Sequence, residues 1–494
     1  MSVKDYASES DPVWGLLSDE FKMLVDGELV ASGQSSPIIS PRNKEEVGRF
    51  AIADEEVIER TVNAAHRASK DPIWAKMSGR ERGQRLLKMA EIIEQHADEF
   101  AFLDAIDVGK PVSTVHYSDI AVSLEALTYF AGRAQDLRGS SVDLGPDIYH
   151  RSRLEPQGVV LEVLPWNGPL WTGVQRLAAI LAAGNAAIIK PAELASASFL
   201  HLAKLTADLF PAGVFNVVAG SGSKVGSALV KHPLVDMVSL TGGTETGARV
   251  LADTASQIKN VSLELGGKNP NIVLDDADLE TAIAWSSMGA FANTGQVCVC
   301  GSRIYVQRAV YEAFAAGMVS AAEGQRVGDP LLADTQLGPL IGEDQFNKVS
   351  GYVREAIEQG QGELLTGGEG YEDSFRAGGW FFQPTVFKDV DTNCKIAREE
   401  IFGPVVTLTP FDEVDEAIEM ANDTSYGLAA GVFTQDVARA GKIANELQSG
   451  QVYVNQWFSP GGMQAPSEGY KESGLGGVGI EKYLQVKNIF TKIN

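Results

Sequence analysis

Val159-Val160-Leu161-Glu162-Val163-Leu164 is a short, nearly unbroken apolar run between Gly158 and Pro165. A run of that length and composition reads as a strand buried on both faces, the mark of a parallel sheet. Working downstream, Leu170 to Ala183 reads as a helix, Ala186-Ala187-Ile188-Ile189 as the next strand and Ser196 to Phe210 as the next helix. Strands at Val214 to Val218, Val235 to Leu240 and Val261 to Leu265 then alternate with helices at Ser223 to Val230 and Thr244 to Thr254. This rhythm predicts an α/β fold with a doubly wound parallel sheet. Ligands of such sheets bind beyond the carboxyl ends of the strands. The informative residues are therefore Pro165-Trp166-Asn167, Lys190-Pro191-Ala192-Glu193, Thr241-Gly242-Gly243-Thr244 and Gly266-Gly267.

A second alternation starts at Asn271-Ile272-Val273-Leu274. It continues through Ser302 to Val306 and Ala309 to Glu323 as far as Val452-Tyr453-Val454, and predicts a second doubly wound α/β domain. Upstream of both, Lys22 to Val30 carries Asp26-Gly27 between apolar residues, a hairpin signal. Asp54 to Lys70, Arg80 to Gln95 and Thr114 to Ala134 have helical character. The polar segment Gly139 to Leu154 is expected to leave the body as a hairpin. The alternating tail Leu484 to Phe490 is expected to pair with it or with a partner.

The chain has 494 residues, too many for one core. Its formal net charge of −24 argues against nucleic acid or an anionic membrane as partner, since both would be repelled. The three cysteines, Cys298, Cys300 and Cys394, form no disulfide framework and fit a reducing compartment. The six histidines lie far upstream of them without ligand spacing, so no metal site is expected. Met1 to Glu20 is acidic and shows no secretory signal. The longest apolar stretch, Leu177 to Ile189, is broken by Gly184-Asn185 and too short to span a bilayer. A cytoplasmic enzyme is the expected class.

Asn293-Thr294-Gly295-Gln296-Val297-Cys298-Val299-Cys300 follows an apolar, helix-like run from Asp278 to Ala292. A loop at a helix end exposes side chains that the helix would bury. On this stretch alone Cys298 fits two readings, a nucleophile or a buried structural thiol. Gly474-Leu475-Gly476-Gly477-Val478-Gly479 matches Gly-x-Gly-x-x-Gly, but no strand precedes it and too little chain follows for a dinucleotide fold. Ser239-Leu240-Thr241-Gly242-Gly243-Thr244-Glu245-Thr246-Gly247 is the better candidate. It ends a strand and opens a helix, so free N–H groups there suit a pyrophosphate. Lys190 and Glu193 fit either an exposed ion pair or a ribose site; in the second case the Glu193 carboxylate would repel a 2′-phosphate.

Taken together, these motifs resemble the aldehyde dehydrogenase superfamily over nearly the whole chain. The matching pieces are Pro165-Trp166-Asn167, Lys190-Pro191-Ala192-Glu193, Gly242 to Gly247, Leu263-Glu264-Leu265-Gly266-Gly267-Lys268, Gly295-Gln296-Val297-Cys298 and Glu399-Glu400-Ile401-Phe402-Gly403-Pro404, in the family's order. The resemblance implies an NAD-binding domain (1–135 and 155–265), a catalytic domain (266–465) and a small β oligomerisation arm (136–154 and 466–494). It implies Cys298 as nucleophile, Asn167 as oxyanion donor and Glu264 as the base for thioester hydrolysis. Trp166, Lys190, Glu193, Gly242, Gly243, Gly247, Leu265, Glu400 and Phe402 are the implied cofactor residues, for NAD in preference to NADP. The implied partners are a small-molecule aldehyde and a second or further copies of the chain, as homodimer or homotetramer. Gly168, Trp171, Val297, Val299, Cys300, Trp457 and Phe458 are expected around the substrate.

Several positions depart from the family's pattern. Gly168 stands where an aromatic residue is common, Gly243 where a serine often meets the pyrophosphate, and Arg176 where a lysine is common. The Pro-Phe-Gly-Gly pattern is replaced by Pro466-Ser467-Glu468-Gly469, and Gly474 to Gly479 looks shortened. Two rival functions follow: a dehydrogenase that passes its acyl group to coenzyme A, and a catalytically silent structural or binding protein on the same scaffold.

Overall fold

The computed structural model describes residues 3–373, 375–458, 462–465, 467–477 and 479–493. Pro466 and Val478, both inside segments singled out above, lie outside the described residues. Two large sheets organise the chain. The first has eight strands in the spatial order Glu28–Val30, Met23–Val25, Phe215–Val217, Ala186–Lys190, Val159–Val163, Met237–Thr241, Asn260–Glu264 and Gly474–Leu475. Its five middle strands run parallel. Both edges are antiparallel: the hairpin with Asp26 and Gly27 at positive φ on one side, Gly474–Leu475 on the other.

Val159–Val163 lies in the middle of this sheet, with Val159, Val160 and Leu161 buried and Val163 half-buried. That explains the unbroken apolar run: both faces of the strand are covered, so neither alternates with solvent. The second sheet has seven strands, in the order Glu363–Thr366, Thr385–Lys388, Val405–Phe411, Arg303–Gln307, Pro270–Val273, Ala429–Phe433 and Gln451–Val454. All neighbours are parallel except the first pair. Ile148–Pro156 pairs antiparallel with the tail Leu484–Lys492, from Leu484 opposite Pro156 to Lys492 opposite Ile148. Gly474–Leu475, inside the segment assigned to the arm, instead pairs with Leu263 and Glu264 of the first sheet.

Several helices escaped the sequence reading, among them Glu343–Glu358, Val414–Asn422 and Val437–Glu446, and a further one did so for a clear physical reason. Ala97–Asp107 is buried at every position from Phe100 to Asp107. With no solvent face there is no polar stripe, and therefore no period to detect. Thr114 to Ala134 is helical as expected but contains a wider turn at Val115–Ile120. No helix among the described residues is long and apolar enough to cross a membrane.

Candidate active site

The loop carrying Cys298 leaves the helix Leu279–Phe291 through three successive residues in left-handed backbone: Asn293 (φ 50°), Thr294 (φ 57°) and Gly295 (φ 70°). For a β-branched threonine this conformation is strained and must be held from outside. Thr294 Oγ1 donates to Gly338 O at 2.9 Å, and Gln296 Oε1 accepts from Ile341 N at 2.9 Å. Gly295 is obligatory, because a Cβ there would lie 2.1 Å from Gly403 O. Asn269 closes the loop from the other side. Its Nδ2 donates to the carbonyls of Cys298 (2.9 Å) and Cys300 (2.8 Å), while its Oδ1 accepts from Ala429 N.

Asn167 is drawn into the same knot. Its Nδ2 donates to Gln296 O at 2.8 Å, and its carbonyl accepts from Asn293 Nδ2 at 3.1 Å. A primary amide has two N–H groups, so one remains for another acceptor. Glu264 ends its strand in the first sheet, buried, with Oε1 unpartnered. Burial pushes its carboxyl above the usual range; Arg176 and Lys482 oppose the shift, and Glu468 and Glu162 add to it. Cys298 is a free thiol, in a residue still partly reachable by solvent. The protein around the sulfur is nonetheless dense. Burial, helped by the Glu400 and Glu264 carboxylates, pushes the thiol up to about 12. A thiol made acidic by its loop alone is therefore not what this site holds.

The Cys298 thiol, two residues from the Gln296 carbonyl that Asn167 holds, thus lies within electrostatic reach of the unpartnered Glu264 carboxyl. The family model described as "Aldehyde dehydrogenase family" matches residues 29–489. The chain belongs to the aldehyde dehydrogenase family. Relatives include the betaine aldehyde dehydrogenase of Vibrio vulnificus, 40% identical over 468 residues that cover 94% of this chain and 95% of the relative. The mitochondrial aldehyde dehydrogenase of Equus caballus is 39% identical over 469 residues, covering 94% and 93%. Among solved structures, the NAD+ complex of an aldehyde dehydrogenase from Bacillus cereus superposes with a TM-score of 0.96 at 38% identity, covering all of both chains.

Within this aldehyde dehydrogenase chain the implied cofactor residues form a track along the carboxyl ends of the first sheet. The rings of Trp166 and Phe402 meet edge to face at 5.2 Å. Glu400 Oε1 accepts from Gly267 N at 3.0 Å, and a Cβ on Gly266 would come within 2.6 Å of Glu400 Oε2. The glycine pair is what lets that carboxylate lie against the strand end. Lys268 and Lys348 both act on the Glu400 charge. Lys348 was not singled out in sequence, because a lone lysine carries no pattern. Lys268 Nζ is buried without a partner, and burial brings its ammonium down to about 7. Lys190 is also buried and falls to about 8, with Glu193 opposing the shift.

The helix Thr244–Ala255 starts at Gly243 with no side-chain cap, and Thr241 Oγ1 beside it is unpartnered. These open donors fit an anionic, hydroxyl-rich dinucleotide. Gly247 has a different use from the one expected. A Cβ there would lie 2.6 Å from the Leu265 side chain, so this glycine packs the helix onto the sheet.

The substrate residues divide. Gly168 has Trp171 on top of it, since a Cβ at Gly168 would fall 2.0 Å from Trp171 Nε1. The missing aromatic is thus replaced by an indole from the next helical turn. Val297 and Val299 flank the thiol and stay partly exposed. Cys300 is buried, its carbonyl tied to Asn269, and burial pushes its thiol up. Trp457 does not line a substrate pocket: it is 0% exposed, and its indole N–H donates to Val299 O at 3.1 Å from beneath the loop. Gly289, Gly301 and Gly431 all make room for its ring. Phe458 remains partly exposed beside it, at φ 56°. Tyr453 was read only as part of a strand, yet its phenol is pushed up to about 12 by burial and by Cys298. Its alternation with Val452 and Val454 was the signal that one side chain faces the site.

Proposed function

We propose that the chain oxidises an aldehyde to the carboxylic acid with NAD as hydride acceptor. The observation that carries this is the convergence of Cys298, the Asn167 amide and the unpartnered Glu264 carboxyl. NAD would be held by Trp166, Lys190, Glu193, Gly242, Gly243, Glu400 and Phe402, and when bound its nicotinamide supplies the two-electron oxidant. At rest the site holds a neutral thiol between two carboxylates. Cys298 must therefore give up its proton to solvent as it reacts, which leaves the Glu264 carboxylate, its basicity raised by burial, unprotonated for the hydrolytic step.

The sulfur adds to the carbonyl carbon, and the oxygen becomes an alkoxide facing the free Asn167 N–H and the Cys298 backbone N–H. Loss of hydride from that tetrahedral carbon leaves a thioester on Cys298. Glu264 then takes a proton from water; the hydroxide adds to the thioester, the thiolate leaves and the acid is released. Trp171, Tyr453 and Phe458 give the acyl side an aromatic lining, which suits a medium or bulky aldehyde. Coenzyme A transfer would need no base for water, so Glu264 favours hydrolysis. The 1–135/155–265 and 266–465 division stands as the cofactor and catalytic domains of this reading, with a cytoplasmic location. The paired strands Ile148–Pro156 and Leu484–Lys492 are its oligomerisation arm.

The test is NADH formation over an aldehyde panel, with product analysis with and without coenzyme A. Cys298→Ala is expected to abolish turnover, and Glu264→Gln to give one burst of NADH and then stall. NAD is expected to outperform NADP. Parent-rate turnover in Cys298→Ala would remove the nucleophile from the scheme.

A further inference from the structure

The histidines show no metal spacing along the chain, but the fold brings two of them to one carboxylate. His96 sits between the helices Gly79–Gln95 and Ala97–Asp107, Glu99 is in the first turn of the second, and His201 is on the helix Ala197–Leu205. Among the described residues they are the group of three whose donor atoms all lie within 4.8 Å of one another. His96 Nδ1 is 3.0 Å from Glu99 Oε1, and His201 Nε2 is 2.6 Å from Glu99 Oε2. One imidazole is fixed and two ligands face water: the His201 side chain is 3% exposed, against 33% for His96 and 31% for Glu99. The Phe100 ring at 5.5 Å sets the His201 plane.

We propose that His96, Glu99 and His201 form a binding site for a zinc-class divalent cation. Two imidazoles and a carboxylate on helices are a donor set that suits such ions, with a fourth position left for water. The cation would take the place now held by two N–H···O contacts. His96 would carry its proton on Nε2 and His201 on Nδ1, freeing the facing lone pairs without net proton release from neutral rings. Burial, the foremost cause, together with Lys204 and His96, holds the His201 ring toward its neutral form against the pull of Glu99. The neighbouring His116 and Asp98 are paired with each other at 3.4 Å and leave the three ligands free of competition. The opposite end of the same helix pair is already pinned, where Ala197 N donates to Asp107 Oδ2 at 2.9 Å. A cation at Glu99 would clamp the other end.

Free thiols also bind zinc, so the experiment must separate Cys298 and Cys300 from the proposed site. Isothermal titration and thermal melts with Zn2+ are run on a Cys298→Ser, Cys300→Ser chain, without and with Glu99→Gln or His96→Asn. The parent of this set is expected to bind one equivalent and melt higher. Each added substitution should weaken binding at least about a hundredfold, more than the loss of an outer-shell partner. Co2+ spectra of the unsubstituted enzyme give a second readout, in which a nitrogen and oxygen band without thiolate charge transfer vanishes in His96→Asn. Absence of Zn2+ binding by the parent, or equal binding in both variants, overturns the site. Metal-free aldehyde turnover should be unchanged in Glu99→Gln and His96→Asn, whichever way the reading of the active site itself is decided.

Discussion

At the scale of single residues, the Cys298 thiol is the informative case. A cysteine after a glycine turn suggested an activated nucleophile, yet its surroundings hold it protonated, with burial first and the Glu400 and Glu264 carboxylates behind it. A thiolate is the species that alkylating reagents capture. Removing a negative neighbour stabilises the thiolate, lowers the pKa from about 12, and enlarges the reactive fraction at any pH below it. Glu400→Gln without cofactor is therefore expected to alkylate severalfold faster at neutral pH than the parent, with the rate-against-pH curve displaced to lower pH. Iodoacetamide kinetics across the pH range measure both. An unmoved curve would mean that Glu400 does not hold the thiol back. Cys298, Glu264 and Asn167 stand out in sequence because the proposed chemistry dictates their residue types. Asn269, Lys348 and Tyr453 were not, because what they do depends on which distant segment lies against them. Trp457 was misread for a related reason: an indole has the same appearance in sequence whether its ring lines a pocket or props up a loop.

At the scale of elements, strands with both faces covered were easy to find, while the helix Ala97–Asp107 was invisible for the very reason that it is buried. It also carries two acids into the interior. Burial, then the nearby Asp119, raises Asp104 to about 7, and burial raises Asp107 to about 7. Lys110 opposes the shift at Asp104 and forms an ion pair with Asp119 at 2.6 Å. A carboxyl whose pKa is higher folded than unfolded holds more protons in the native state. Its contribution is complete below the ordinary value of 3.8 and is lost as pH rises toward 7. Thermal stability should thus decline over that window through these groups. Asp104→Asn, which stays neutral, should flatten the decline and melt several degrees above the parent at pH 8, in scans by calorimetry or circular dichroism. A parent and variant whose melting points run parallel from pH 5 to 8 would exclude Asp104 as the titrating group.

At the scale of the whole molecule, the strand Leu484–Lys492 ties the proposed oligomerisation arm to the proposed base. A two-stranded ribbon is marginal by itself in water, and this one leaves Val486 63% and Phe490 65% exposed. Ile148 and Tyr149 on the other strand are exposed as well. We propose that these exposed apolar residues are a surface for another copy of the chain, for which a closed two-fold contact is the simplest cover. The same tail reaches inward just before the ribbon begins. Lys482 Nζ donates to Ser262 Oγ at 2.7 Å, two residues before Glu264, and its charge acts on that carboxyl. Gly474 pairs directly with Glu264 along the sheet edge. Loosening the ribbon should therefore loosen the setting of the base. Val486→Lys with Phe490→Lys is expected to reduce the mass measured by light scattering to that of a smaller assembly. It should also slow thioester hydrolysis more than the initial burst of NADH, because Cys298 is anchored through Asn269 in the other sheet. If the doubly substituted chain keeps the parent's mass, the ribbon is not the contact. If the mass falls while burst and steady state slow equally, the tail does not tune Glu264.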